Sequence, residues 1–273
     1  MKNVGRRGLG RVWRLPSPTM DQPLILVTND DGIGADGLAA LAESAQDLGD
    51  VWVIAPEKQQ SATSHALTLH KPLRVSDHGH QRLAISGTPT DAVFFGVLHA
   101  LPRKPDLILS GINRGPNLAA DVTYSGTVSA ALEAAIIGVP GIAFSHVSPS
   151  AEAHDYRDGS HFAKTVASRV LEDGLPDGCY LNVNFPKVAP GAVRGVKATV
   201  LGDRYYDDCL VECTDPRGRP YYWIGGNGYK FNDVPGSDCN AIDEGFISVT
   251  LLRADPTAAQ GVELIRQWGL DGP

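Results

Sequence analysis

An apolar run that ends in two adjacent carboxylates constrains this chain most strongly. Residues 24–28 are apolar or β-branched and predict a buried strand, and Asn29-Asp30-Asp31-Gly32 after them predicts a turn. In an open parallel sheet, ligands bind at the carboxyl ends of the strands. Two adjacent carboxylates in such a crevice repel each other and resist desolvation unless a cation or protons neutralise them. We therefore interpret Asp30 and Asp31 as the start of a divalent-metal site.

Strand-like and helix-like stretches alternate along the first half of the chain. Strands are predicted at residues 24–28, 51–55, 82–85, 107–109 and 141–145, and helices at 35–48, 90–100 and 128–137. This alternation is typical of parallel βαβ units. It predicts an α/β fold that is Rossmann-like, with a mostly parallel, doubly wound sheet.

The pattern changes after Pro186. Extended stretches at residues 193–200, 205–212 and 221–224 are separated by turn residues, notably Asp215-Pro-Arg-Gly218. Short strands joined by such turns are typical of antiparallel hairpins. The sequence therefore predicts a C-terminal antiparallel hairpin elaboration within residues 187–240.

The charge distribution separates a short N-terminal segment from the rest of the 273-residue chain. Residues 1–19 contain five basic residues and no acidic one, and the remaining residues contain 19 basic and 31 acidic side chains. We expect residues 1–19 either to be a basic, disordered tail or to precede a working start at Met20, and residues 20–273 to form one catalytic domain. The acidic body argues against binding of long nucleic acid, and no apolar run approaches the length of a membrane span.

The four cysteines favour a reducing compartment. None of them has the CxxC spacing of a zinc or redox site, and the chain is too large to need a disulfide framework. We expect reduced thiols and a cytoplasmic protein.

A dinucleotide-binding motif competes for the same strand end. Residues 32–37 match GxGxxG, and Glu57 lies where a ribose-binding acid would fall. An NAD-dependent oxidoreductase is therefore an alternative. Against it, Asp30 and Asp31 would repel the pyrophosphate, and the glycines would equally serve a sharp turn.

Three later junctions are also rich in oxygen-bearing or basic side chains. They cover residues 57–64, 110–117 and 124–127. Because parallel strands point the same way, these junctions are expected to converge on Asp30 and Asp31. Hard cations such as Mg²⁺ or Mn²⁺ bind carboxylate, amide and hydroxyl oxygens, so a serine such as Ser61 and an asparagine such as Asn113 would complete an oxygen-only site.

The junction at 124–127 predicts a phosphate site. Ser125, Gly126 and Thr127 stand at a predicted helix start, where backbone N–H groups and the helix dipole favour an anion. Lys58 and Arg114 could add positive charge. The alternatives are that Asn-Asp-Asp-Gly is a turn closed by side-chain hydrogen bonds, and that Ser125 or Thr127 only caps the helix.

Several ordered motifs resemble the SurE family of stationary-phase survival proteins, which are metal-dependent nucleotidases acting on nucleoside 5′- and 3′-monophosphates. The resemblance covers about residues 24–252. The matching stretches are residues 26–33, 55–61, 86–91, 110–117, 124–127, 215–226 and 237–238.

The resemblance implies one divalent cation per subunit, most simply Mg²⁺ or Mn²⁺, held by Asp30, Asp31, Ser61 and Asn113. Asp30 and Asp31 would be catalytic, and the substrate phosphate would be bound by Asn113 together with residues 125–127. A hairpin within 205–223, exchanged between subunits, would give a homodimer or homotetramer. The remaining alternative to an enzyme is a non-catalytic nucleotide-binding protein.

Overall fold

The computed structural model describes residues 22–147, 156–206, 210–224, 230–258 and 261–270. The predicted basic tail at 1–19 lies outside these residues. The strands are β1 (Leu24–Thr28), β2 (Asp50–Pro56), β3 (Val75–Asp77), β4 (Arg82–Ile85), β5 (Leu107–Arg114), β6 (Gly141–His146), β7 (Cys179–Phe185), β8 (Val196–Thr199), β9 (Asp203–Tyr205), β10 (Leu210–Thr214), β11 (Pro220–Ile224), β12 (Lys230–Asn232) and β13 (Ile247–Arg253). The α-helices are α1 (Asp36–Ala45), α2 (Pro89–Phe95), α3 (Gly126–Ile136), α4 (Arg157–Asp173), α5 (Asp238–Asp243) and α6 (Gly261–Gln267).

A nine-stranded sheet has the order β3-β4-β2-β1-β5-β6-β7-β13-β8. The six central strands from β4 to β7 are parallel, whereas β3 and β13 run antiparallel to their neighbours β4 and β7. The chain proceeds from β1 outward through β2 to β4, then returns to form β5 on the other side of β1. This reversal creates a topological switch point between β1 and β5, where α/β sheets bind ligands. The predicted mostly parallel, doubly wound α/β fold is confirmed.

Strand β1 is buried on both faces, which explains its uninterrupted apolar sequence. Ile25 and Val27 pack in the core on one side of the sheet, with residues of α1 and α4. Leu24 and Leu26 pack in the core on the other side, with residues of α2 and α3. The carboxyl end of β1 is thereby fixed between two helical layers.

The C-terminal elaboration contains the antiparallel pairs β10–β11 and β9–β12. The turn between β10 and β11 is closed by Asp215, whose carboxylate accepts hydrogen bonds from the backbone N–H groups of Arg217 and Arg219 at 2.8 and 2.9 Å. The hairpin is thus confirmed. The single strand predicted at 205–212 is wrong, because β9 ends at Tyr205 and β10 begins at Leu210. Among the described residues, the structure has no helix with the length and hydropathy of a membrane span.

Candidate metal and phosphate site at the sheet switch point

The turn after β1 is closed without the carboxylates of Asp30 and Asp31. The Asn29 side chain closes this turn, because its oxygen accepts from Gly32 N–H at 3.1 Å and its amide donates to the Gly32 carbonyl at 3.1 Å. The turn closure weighed as an alternative is therefore present. It uses Asn29, and the carboxylates of Asp30 and Asp31 contact other elements.

The carboxylate of Asp30 lies against the N-terminus of α3. Asp30 is only 5% exposed. The Thr127 hydroxyl donates to Asp30 Oδ1 at 2.5 Å. A Cβ added to Gly126 would lie 2.9 Å from Asp30 Cβ, so only glycine allows this approach. Burial, and secondarily the charge of Asp31, raise the pKa of Asp30 to about 6, although hydrogen bonds from the Thr127 side chain and backbone act in the opposite direction.

Asp31 is half-buried and faces β5. Its Oδ2 accepts a hydrogen bond from Arg114 N–H at 3.1 Å. Burial raises the pKa of Asp31 despite this hydrogen bond and the charge of Arg114. Burial and the negative charges of Asp31 and Asp36 also raise the pKa of Tyr156 to about 12, which places this buried phenol in the electrostatic field of the site.

The loop after β2 is bound directly to the loop after β1. Gln60 N–H donates to the Asp30 carbonyl at 2.7 Å, and Ile33 N–H donates to the Pro56 carbonyl at 2.8 Å. Gly32 adopts a φ of +103°, and a Cβ there would lie 3.3 Å from the Lys58 carbonyl carbon. Ser61, one residue beyond Gln60, is exposed, and its hydroxyl accepts a hydrogen bond from Gln59 Nε2 at 2.9 Å.

Asn113 lies near the end of β5 with its amide orientation fixed. Its Nδ2 donates to the Gly115 carbonyl at 2.9 Å, so its oxygen remains available as an acceptor. The next residue, Arg114, is the one that binds Asp31. Asp30 is thus hydrogen-bonded to Gln60, the neighbour of Ser61, and Asp31 to Arg114, the neighbour of Asn113.

The donor set of Asp30, Asp31, Ser61 and Asn113 fits a hard divalent cation. It offers carboxylate, hydroxyl and amide oxygens, which suit Mg²⁺ or Mn²⁺. The described residues contain no group of three or more His, Cys, Asp and Glu side chains arranged for a metal. The two carboxylates, both with raised pKa values, are adjacent negative groups of the kind that a cation neutralises.

The predicted phosphate-binding residues lie at the same place, but their hydroxyl groups already have partners. Helix α3 begins at Gly126, two residues before the predicted start, and Ser125 is its N-cap, accepting from Val128 N–H at 3.1 Å. Thr127 donates to Asp30. An anion at this helix start would therefore depend mainly on backbone N–H groups, because Ser125 is buried and its hydroxyl caps the helix.

The position of Tyr156 and the orientation of the Thr127 hydroxyl were not predicted from the sequence. Tyr156 lies outside every motif, and no local signal indicated that it would approach Asp31. Thr127 was in a motif, but the direction of its hydroxyl depends on how α3 packs against β1. Asn117, at the end of the 110–117 motif, is buried and donates from its side chain to Ser145 Oγ at 2.7 Å.

The fold and the site together define a class: a doubly wound α/β protein with two adjacent carboxylates at its switch point. The chain matches the family model described as survival protein SurE over residues 25–208. It is similar to the 5′-nucleotidase SurE of Geotalea daltonii, with 49% identity over 244 residues, which are 89% of this chain and 98% of that protein. The 5′-nucleotidase SurE of Geobacter sulfurreducens is 47% identical over 246 residues, 90% of this chain and 94% of that protein.

A solved structure gives the same result. The SurE protein from Aquifex aeolicus matches with a TM-score of 0.80 and 37% identity, over 90% of this chain and 100% of that one. The chain belongs to the SurE family, and the predicted resemblance is confirmed. The comparisons favour a nucleotidase and not an NAD-dependent oxidoreductase.

Proposed function

We propose that this chain is a divalent-metal-dependent phosphomonoesterase that hydrolyses nucleoside 5′- and 3′-monophosphates to nucleoside and phosphate. The observation that carries the proposal is the buried Asp30 carboxylate, which lies beside Asp31 and against the first turn of α3. Membership of the SurE family and relatives named 5′-nucleotidase support the same reaction.

In this proposal Asp30, Asp31, Ser61 and Asn113 hold one Mg²⁺ or Mn²⁺ ion. When bound, the ion would neutralise phosphate charge, polarise the phosphoryl oxygens and lower the pKa of a bound water. Phosphoryl transfer depends mostly on positioning and electrostatics, so no separate protein nucleophile is required.

The remaining roles belong to the chain itself. Backbone N–H groups at residues 125–127, together with Asn113, orient the phosphate. Lys58 and Arg114, on the loops that flank the carboxylates, add positive charge. Asp30 or Asp31 accepts a proton from the attacking water, as a carboxylate placed beside the reacting group does in general base catalysis.

A phosphate-release screen over nucleoside 5′- and 3′-monophosphates tests the function. Activity should disappear with EDTA and return with Mn²⁺ or Mg²⁺. In the presence of Mn²⁺, Asp30→Asn should lower kcat/KM by roughly 100-fold or more, because a ligand and its charge are lost. Asp36→Asn is the control, since Asp36 is exposed in the first turn of α1.

Two results would reject the proposal. One is wild-type turnover by Asp30→Asn. The other is saturable nucleotide binding without phosphate release from the wild type, which would indicate a nucleotide-binding protein instead.

We also propose that the β10–β11 hairpin is exchanged between subunits of a homodimer or homotetramer. Its apolar side chains are exposed in the single chain, with Leu210, Trp223 and Ile224 at 63%, 63% and 88%. An exposed apolar patch of this kind is typical of an interface. Trp223→Asp should lower the mass measured by light scattering, whereas Leu69→Asp, at a 78% exposed position outside the hairpin, should not.

The proposed setting is the cytoplasm. Cys179, Cys213 and Cys239, the cysteines within the described residues, are free thiols, which agrees with a reducing compartment. The expected partner is a nucleoside monophosphate, and the acidic body of the chain disfavours long nucleic acid.

A further inference from the structure

One segment connects two parts of the proposed site. Residues 115–124, here called the connecting segment, run from Asn113 at the end of β5 to Ser125 at the start of α3. Any displacement of this segment would move the first N–H groups of α3. What holds it in place therefore matters for anion binding.

The C-terminal elaboration supplies one of its anchors through an ion pair. The Arg204 guanidinium on β9 contacts the Asp121 carboxylate, and the Tyr206 hydroxyl donates to the same carboxylate at 2.7 Å. The side chains of Arg204 and Asp121 are only 6% and 17% exposed. At this exposure the pair is poorly screened by solvent and salt.

A second anchor lies beside the first. Asp238 is fully buried, and its Oδ2 accepts from Ala119 N–H at 2.9 Å while its Oδ1 accepts from Gly202 N–H at 2.8 Å. One carboxylate thus joins the connecting segment to the residue just before β9. Leu118 and Ala119 also pack with Phe231 of β12 in a small apolar cluster.

These contacts connect the β9–β12 pair to the start of α3 through the connecting segment. Asp121 lies four residues before Ser125, the N-cap of α3, and the residues between form a single 3₁₀ turn and its cap. Such a short, hydrogen-bonded link transmits a displacement of Asp121 to the helix start.

We infer that Arg204 is a positioning residue, which acts through Asp121 to fix the N-terminus of α3 for binding of the substrate phosphate. The inference rests on the proposed function and extends it, because it couples the β9–β12 pair to the proposed catalytic site. In this assignment Arg204 itself does not contact the substrate. Loss of the ion pair should weaken phosphate binding more than it slows turnover.

The test compares Arg204→Met with Arg204→Lys. Arg204→Met should raise KM for a nucleoside monophosphate, and Ki for inorganic phosphate, about five- to tenfold, with kcat within threefold of the wild type. Arg204→Lys keeps the charge and should restore both constants to within about threefold. Arg103→Met is the control, because it removes another Arg–Asp pair, Arg103–Asp106, which lies at the amino ends of β1 and β5; it should leave both constants within twofold.

Asp121→Asn provides a second route if Arg204→Met fails to fold, since it removes the charge without changing the side-chain volume. The same rise in KM and Ki is expected, and the double variant should be no worse than either single one. The inference is overturned if both constants stay within twofold in a folded variant, or if kcat and the melting temperature fall while KM does not change. If the wild type releases no phosphate, the proposed function fails, and calorimetric binding of inorganic phosphate still decides the role of Arg204.

Discussion

Replacing Asp30 by asparagine should stabilise the protein in the absence of metal. Burial, more than the neighbouring Asp31, raises the pKa of Asp30 to about 6 from an ordinary value of 3.8. A carboxyl group whose pKa is higher in the folded state favours folding only while it is protonated, so the folded state loses stability as the pH rises from about 4 to 6. A shift of about two pKa units corresponds to about 3 kcal/mol at neutral pH. Asparagine cannot ionise and avoids this penalty.

The assay is denaturant unfolding of wild type and Asp30→Asn in EDTA, at pH 8 and at pH 4.5. At pH 8 the variant should be more stable by about 3 kcal/mol, which corresponds to several degrees in Tm for a chain of this size. At pH 4.5 the gain should fall to about 1 kcal/mol, because the folded carboxyl is then mostly protonated and the remaining penalty comes only from ionisation of the unfolded state. Asp36→Asn, at an exposed site, should show no such pH-dependent gain.

Mn²⁺ should reverse the order of the two proteins. At a concentration 1,000 times its Kd, a ligand stabilises the folded state by about 4.1 kcal/mol, which exceeds the advantage of the variant of about 3 kcal/mol, and this gain should appear in the wild type and not in Asp30→Asn. The reasoning is refuted if the variant is no more stable than the wild type at pH 8 in EDTA, or if its advantage is the same at both pH values.

Three further substitutions test the packing around Asp30. Gly126→Ala should weaken Mn²⁺ binding at least tenfold by calorimetry, because the added Cβ would lie 2.9 Å from Asp30 Cβ. Gly34→Ala is the control and should bind Mn²⁺ normally, because a Cβ added at residue 34 has no atom within 4 Å. Thr127→Val should weaken Mn²⁺ binding by roughly tenfold, since a hydrogen bond to a charged group contributes about 1.5–3 kcal/mol; Thr127→Ser should retain most of the affinity, and equal affinity in all three proteins would contradict the contact. Thr28→Val should be neutral or stabilising in thermal unfolding, because the buried Thr28 hydroxyl has no hydrogen-bond partner in the described part of the chain.

The fold was predictable because its signal is spread over many residues. The central strands are short apolar runs, and four of the six are followed by a stretch with helical spacing, so errors at single positions do not change the topology. The ends of elements were less predictable. Helix α1 stops at Ala45, three residues earlier than predicted, because Gln46 and Leu48 form turn hydrogen bonds to Glu43 and Ala45 instead of continuing the helix.

The length of strand β5 was underestimated for a different reason. It continues to Arg114, five residues beyond its predicted end, and its register against β6 shifts between Ser110 and Asn113. A glycine and a polar pair in this stretch break the apolar run that predicts a strand. The interruption in the sequence coincides with this irregularity in the pairing of β5 with β6.

The charged residues of the candidate site were predictable from the sequence, but the orientations of its side chains were less so. Asp30 and Asp31 followed from the repulsion of adjacent carboxylates at a strand end. Ser61 was singled out among its loop neighbours only by family resemblance, because several hydroxyl and amide groups precede and follow it. The orientation of Thr127 toward Asp30 depends on contacts between elements almost one hundred residues apart, which no local pattern encodes.

The contact between Asp30 and α3 has a consequence for the order of binding. The positive end of a helix is equivalent to about half a unit charge, and here it faces the Asp30 carboxylate, with Asp31 beside it. In the metal-free protein at neutral pH these groups sum to a net negative charge, which repels a phosphate dianion. A divalent cation reverses the sign of the local charge, and Lys58 and Arg114 increase it further. The geometry therefore favours binding of the metal before the nucleotide, so that nucleotide affinity should depend on Mn²⁺ even in variants that cannot turn over.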